Sequence, residues 1–198
     1  MTEQWWGGLL TLIGIGVAFV CLVAVHLLPT GLDPLRDPVS RYHLTRYRGF
    51  IATSTVFTGL TGIAAILVLV GLLGAGAVAS SVLLGVFAAA RLLIPALRMD
   101  APGSPTTLVG RSHNVLAFLG FGAVTAAAYV AAGALHDRGL TQVSTWSTVF
   151  AVVMTVGAAG ILVLVLARRG GLFGLFERLI YLGFIAWFVL IGTAGLTV

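Results

Sequence analysis

Lysine is missing from this chain, and charge of any kind is scarce. The 11 basic residues are all arginine, six residues are acidic, and 9% of the 198 positions are charged, against about 25% in a soluble domain. That is too little polar surface to coat a water-soluble globule. It also excludes the clustered basic face of a folded nucleic-acid-binding domain, so no nucleic-acid partner is expected. Cysteine is nearly absent. Cys21 stands alone in an apolar run, which rules out an internal disulfide and a cysteine-based metal site; it reads as a small core hydrophobe. There is no HExxH helix, no Gly-rich phosphate loop and no GxSxG elbow. His26, His43 and His113 lack tight metal-ligand spacing, so neither a metal nor a cofactor is expected. The opening MTEQWWGG lacks the basic start of a signal peptide, and the apolar run behind it is expected to remain as a span.

What the chain does have is apolar length. Hydrophobic residues make up 59% of it and the mean hydropathy is +1.10. A membrane-spanning helix needs about 20 apolar residues. Six runs meet that need: 7–28, 50–73, 78–97, 115–135, 147–167 and 179–196. They predict a single transmembrane domain over 1–198, an all-α integral membrane protein built as a six-helix bundle. Trp5, Trp6 and Trp146 sit at run edges, where amphipathic rings favour the interface. The 26 glycines suit close helix packing in lipid. Arg36, Arg41, Arg46, Arg48, Arg98, Arg111, Arg168, Arg169 and Arg178 fall in the first, third and fifth connections, and Arg138 alone faces the other way. The positive-inside rule then places the Arg-rich connections in the cytoplasm and both termini outside the plasma membrane.

Two polar stretches interrupt the apolar pattern. The first, 26–50, holds two Asp, four Arg, two His and three Pro. The second runs from Arg91 to His113. They share a grammar. Leu27-Leu28-Pro29 leads to Asp33-Pro34, and Leu93-Ile94-Pro95 leads to Asp100-Ala101-Pro102. Each ends on an arginine before the next span, which suggests a repeated helical hairpin.

Most of the acids and three of the four histidines crowd this one membrane surface: Asp33, Asp37, Asp100 and Glu177 with His26, His43 and His113. Ionisable groups at or inside the membrane edge are costly and mark function by default. Asp100, His113, Asp33 and Asp37 are the candidate catalytic residues. Arg91 falls six positions before the end of its run, roughly 9 Å deep at 1.5 Å per residue. It is expected to pair with Asp33, Asp37 or Asp100. A guanidinium there could also clamp a phosphate or carboxylate. Arg91, Arg98, Arg111 and Arg48, with the ring residues Phe50 and Phe118, form the candidate substrate-binding set. Asp100 and His113 are expected to line one cavity, with Pro102, Gly103 and Pro105 folding the loop back between them.

The runs LDPLRDPVSRY, MDAPGSPTTLVGRSHN and FERLIYLGFIAW resemble a bacterial family of six-span membrane proteins, the domain of unknown function 998. The resemblance covers nearly the whole chain and is most specific between Asp100 and His113. Where the family pattern reads Phe-Pro-Thr-Asp before Pro-Gly, this chain has Leu97-Arg98-Met99-Asp100 and an extra Ala101. The resemblance implies the fold and no established activity. The residues themselves suggest a membrane-embedded enzyme acting on a lipid or isoprenoid through an aspartic general acid. Its most concrete form is terpene-cyclase-like, with aromatic rings stabilising a carbocation. The alternatives are a transporter or binder, and a non-catalytic accessory protein.

Overall fold

The computed structural model describes residues 2–167 and 171–198. Arg168 and Arg169, which count toward the orientation above, lie outside the described residues. Among those described there is no strand. The described residues form six α-helices: α1 (Glu3–Leu27), α2 (Arg48–Leu73), α3 (Val78–Leu93), α4 (Leu108–Asp137), α5 (Thr141–Leu166) and α6 (Phe173–Thr197). Among the described residues, five helical runs are long and apolar enough to cross a membrane, and one of them, Arg48–Ala96, contains both α2 and α3. That run breaks at Gly74, whose φ of +57° suits glycine. The chain reverses there, and α3 packs back along α2.

Helix ends depart from the apolar runs for identifiable reasons. Thr2 and Thr107 cap α1 and α4, accepting hydrogen bonds from Trp5 N–H and Gly110 N–H. Capping starts α4 at Leu108, not Val115, so His113 lies inside the helix rather than opening the span. In α6 the helix starts at Phe173, which takes Glu177 out of the loop and into the bundle. Pro95 has the opposite effect: α3 stops at Leu93 and tightens into a 3₁₀ turn, Ile94–Ala96.

Each helix packs on its neighbour in the chain, and α6 closes the ring against α1 while also touching α2. Gly8 lies against Gly192 and Gly195 at one end of the α1–α6 contact, and His26 meets Arg178 at the other. Both termini therefore share an end with the Gly74 turn and Arg138, which donates to Leu73 O at 2.6 Å. The long connections lie at the opposite end. Between the two ends the middle is apolar: Phe87, Phe184, Trp187 and Phe188 are fully buried. Large apolar side chains also cover the outside, among them Val20, Val82, Phe118, Val163 and Leu166. A surface of that kind is stable against lipid tails and not against water.

Candidate functional site

The first connection is folded down onto α6. Its 3₁₀ helix, Val39–Leu44, buries Val39 and Tyr42. Leu175 N–H donates to Leu35 O at 3.0 Å. Arg178 clamps the segment from below, donating to Asp37 O and Gly174 O at 2.9 Å each, and to His26 Nε2 at 2.9 Å. His26 Nδ1 in turn contacts Leu22 O at 2.7 Å. A carbonyl only accepts and an arginine only donates, so His26 is the neutral tautomer with its proton on Nδ1. Gly174 is needed here: a Cβ would stand 2.5 Å from both Pro34 O and Asp37 O.

Beneath that segment five polar side chains meet. Arg91 of α3, His113 of α4, Glu177 and Tyr181 of α6, and His43 of the 3₁₀ helix line one small cavity of about 20 Å³. Arg91 is 3% exposed, His113 3% and Glu177 6%. Arg91 Nε donates to Thr58 Oγ1 at 2.9 Å, and Nη2 to Tyr181 Oη at 3.1 Å. Its guanidinium carbon lies 5.3 Å from the Tyr181 ring centre, 5.9 Å from Phe184 and 6.0 Å from Phe121, within cation–π range. Thr58 is fixed for this contact because its own hydroxyl donates to Thr55 O at 2.7 Å. Glu177 Oε2 accepts Val39 N–H at 2.6 Å. His113 Nδ1 contacts Leu97 O at 2.7 Å, which puts the proton on Nδ1 and leaves Nε2 as the ring's acceptor. The His43 and His113 rings are 6.4 Å apart. Burial first, then the neighbouring His113 imidazole and the Arg91 guanidinium, pushes the His43 imidazole down to about 4.

The aspartates are elsewhere, which corrects the expected pairing of Arg91. Asp33 pairs with the exposed Arg36 at 3.5 Å and accepts Leu35 N–H. Asp37 pairs with Arg41 and accepts Asp33 N–H. Asp100 accepts the hydroxyl and N–H of Thr107 at 2.6 and 2.9 Å. Those bonds, with Arg111 nearby, hold its carboxyl below the usual range. Each carboxylate is satisfied by its own loop. The expected cavity joining Asp100 to His113 is not formed: the cavity His113 lines holds Arg91 and Glu177, not an aspartate. Nor does Arg91 snorkel, since it is buried among α2, α3 and α6.

The arginines and rings of the candidate set divide the same way. Arg48 and Arg98 join His43, Gly49 and Pro95 around a second, open-sided pocket of about 260 Å³. Arg111 is exposed on the first turns of α4. Phe50 is 42% exposed and Phe118 76%; both face outward, and Phe121 is the ring that reaches the cavity. Glu177 and His43 are placed on this face by the sequence but stand outside its candidate set, and Tyr181 is not singled out there at all; Glu177 and Tyr181 both come from α6. They are four apart, so one face of a helix carries both, but that signal depends on α6 starting before the apolar run.

Fold and site together define a class: a helical integral membrane protein with a polar cluster buried beneath one face of the bundle. More narrowly, the chain belongs to a family described as protein of unknown function (DUF998), whose model matches residues 12–194. No curated protein and no solved structure matches it.

Proposed function

We propose that this chain is a membrane-embedded enzyme acting on an amphiphilic substrate, a lipid or an isoprenoid, by acid–base chemistry at Glu177 and His113. One observation carries the reading: Arg91, His113 and Glu177, drawn from three helices, are buried around a single cavity inside a span-forming bundle. Burying such groups away from water costs free energy that packing alone does not require, and membrane proteins keep them where they are used. A substrate group reaching the cavity meets a carboxyl group and an imidazole nitrogen, the two partners of a proton transfer. The Arg91 guanidinium offsets negative charge developing beside them.

This reading moves the acid from Asp100 to Glu177. Its carbocation form is not carried forward. The faces of Phe121, Tyr181 and Phe184 already surround a guanidinium, and a second cation there would be repelled. Transport is disfavoured by the filled aromatic core below the cluster. A non-catalytic, lipid-binding accessory role is the second reading, supported by cavity size: about 20 Å³ accommodates one water and no more. In either case the long connections face the cytoplasm of a bacterium. A cysteine in 139–141, in a Cys21→Ser background, should react with an impermeant maleimide in whole cells; reaction only at the 28–47 connection would invert the orientation.

The enzyme reading is tested in membranes. Lipid extracts from cells expressing the wild-type chain, Glu177→Gln or empty vector are compared by mass spectrometry. Gln keeps an acceptor for Val39 N–H, so the fold is retained. A lipid or isoprenoid species altered by wild type and unaltered by Glu177→Gln supports the enzyme. Identical profiles from all three would leave the accessory reading.

A further inference from the structure

We propose that the open-sided pocket beside the buried cluster binds a phosphoryl group, and that this group is the head of the amphiphile. The inference rests on the amphiphile reading above only for what the phosphoryl group is attached to.

The pocket measures about 260 Å³ and is lined by His43, Arg48, Gly49, Pro95 and Arg98, with no acidic residue in its wall. Its two arginines come from separate parts of the chain. Arg48 opens α2, and Arg98 follows the turn that ends α3. They differ from the other described arginines at this end except Arg111, which is exposed on α4 and outside the pocket wall. Arg36 and Arg41 are tied to aspartates, Arg46 to the Tyr47 hydroxyl, and Arg178 to His26 and two carbonyls. Among the described residues, the side chains of Arg48 and Arg98 take part in no ion pair or hydrogen bond. Two free guanidinium groups held across one pocket suit an oxyanion with several acceptors, because each fork can engage two oxygens.

Two features add to the charge. The helix beginning at Arg48 runs 26 residues with no side chain capping its first turn, so its dipole presents partial positive charge to this wall. A Cβ on Gly49 would meet no atom within 4 Å, so the backbone there is open to a ligand. Depth fits a headgroup as well, since Arg48 and Arg98 stand where two spans end. His43 lines both this pocket and the inner cavity. A molecule held by its phosphoryl group at Arg48 and Arg98 therefore has its neighbouring atoms next to His43, on the side of Glu177 and His113.

The test uses the whole chain purified in dodecyl maltoside, with thermal unfolding followed as ligand is added. The probes are dihexanoyl phosphatidic acid, dihexanoylglycerol and inorganic phosphate. Phosphatidic acid should raise Tm saturably and dihexanoylglycerol should not. An equal rise with inorganic phosphate identifies the ligand as free phosphate; no rise identifies a lipid headgroup; both outcomes uphold the phosphoryl site. Arg48→Gln and Arg98→Gln should each weaken the phosphatidic acid midpoint at least about tenfold, the effect of losing one charge-assisted fork. An Arg36→Gln/Arg46→Gln variant, which removes twice the charge of either single variant from the same face, should bind like wild type. No shift with phosphatidic acid, or an equal loss in the Arg36/Arg46 variant, overturns the site. Glu177→Gln should bind like wild type, so a failed lipid-profile test with intact binding removes the enzyme and leaves the pocket.

Discussion

The polar residues at the loop end of the bundle form two layers with opposite habits. In the outer layer Asp33, Asp37 and Asp100 each find a partner within a few residues along the chain: Arg36, Arg41 and Thr107. In the inner layer Arg91 reaches Thr58 and Tyr181, which are 33 and 90 positions away, and Glu177 reaches Val39, 138 positions away. Local pairing needs only a loop and water. Distant pairing needs the whole bundle, and evolution gains nothing by burying charge there unless the groups do something. Depth, rather than density of charge along the chain, separates residues that shape loops from residues that can carry chemistry.

The sharpest way to break this contrast is to remove the centre of the inner layer. Arg91→Ala deletes two charge-assisted hydrogen bonds and leaves Tyr181 Oη and Thr58 Oγ1 without their donor. A loss on the order of 3 kcal/mol is expected, read as a large drop in Tm in detergent. Arg36→Ala in the outer layer should change Tm little. Equal small effects would mean that the inner contacts are dispensable.

Acidification separates the layers next. His43 is held neutral down to about 4, whereas an unfolded imidazole takes up its proton near 6.5. The sign follows from linkage: between those values the unfolded chain binds the extra proton, so stability falls as pH drops through that window and is level above it. The groups facing His43 from the packed elements are Arg91, His113, Glu177 and Tyr181 in the inner cavity and Arg48 and Arg98 in the open-sided pocket. Tm should decline between pH 6.5 and pH 4, with a shallower slope in His43→Gln. An unchanged slope in that variant would remove His43 from the inner layer.

The smallest effect belongs to the outer ion pairs. Asp33→Asn breaks a contact whose side chains are 48% and 74% exposed, and such pairs contribute at most about 1 kcal/mol. Its Tm should stay close to that of wild type. A drop comparable to that of Arg91→Ala would erase the distinction between layers.

Much of this protein is legible along the chain. Apolar runs of spanning length locate all six helices, because lipid requires the backbone to satisfy itself within each span. Arg91 stands out for the same reason, as a charge well inside an apolar run. What the chain conceals is partnership. The two Pro-rich stretches share a grammar, yet the backbone of the first is clamped onto α6 by Arg178, while the loop of the second, 98–107, is tied within itself by Asp100 and Thr107. That difference depends on α6, more than 60 residues beyond either stretch. Glu177 is hidden because it precedes its apolar run and reads as a loop residue until the helix start at Phe173 is known. Asp100 misleads because a sequence position next to a span says nothing of which way the carboxylate turns, and here it turns to Thr107, the residue that caps α4.

We propose that function resides in the inner layer and not in the outer one. The most direct test compares the lipid extracts of cells expressing Glu177→Gln and Asp100→Asn side by side with wild type. Asp100→Asn should keep the wild-type lipid profile and Glu177→Gln should lose it. A profile lost in Asp100→Asn and kept in Glu177→Gln would contradict the proposal.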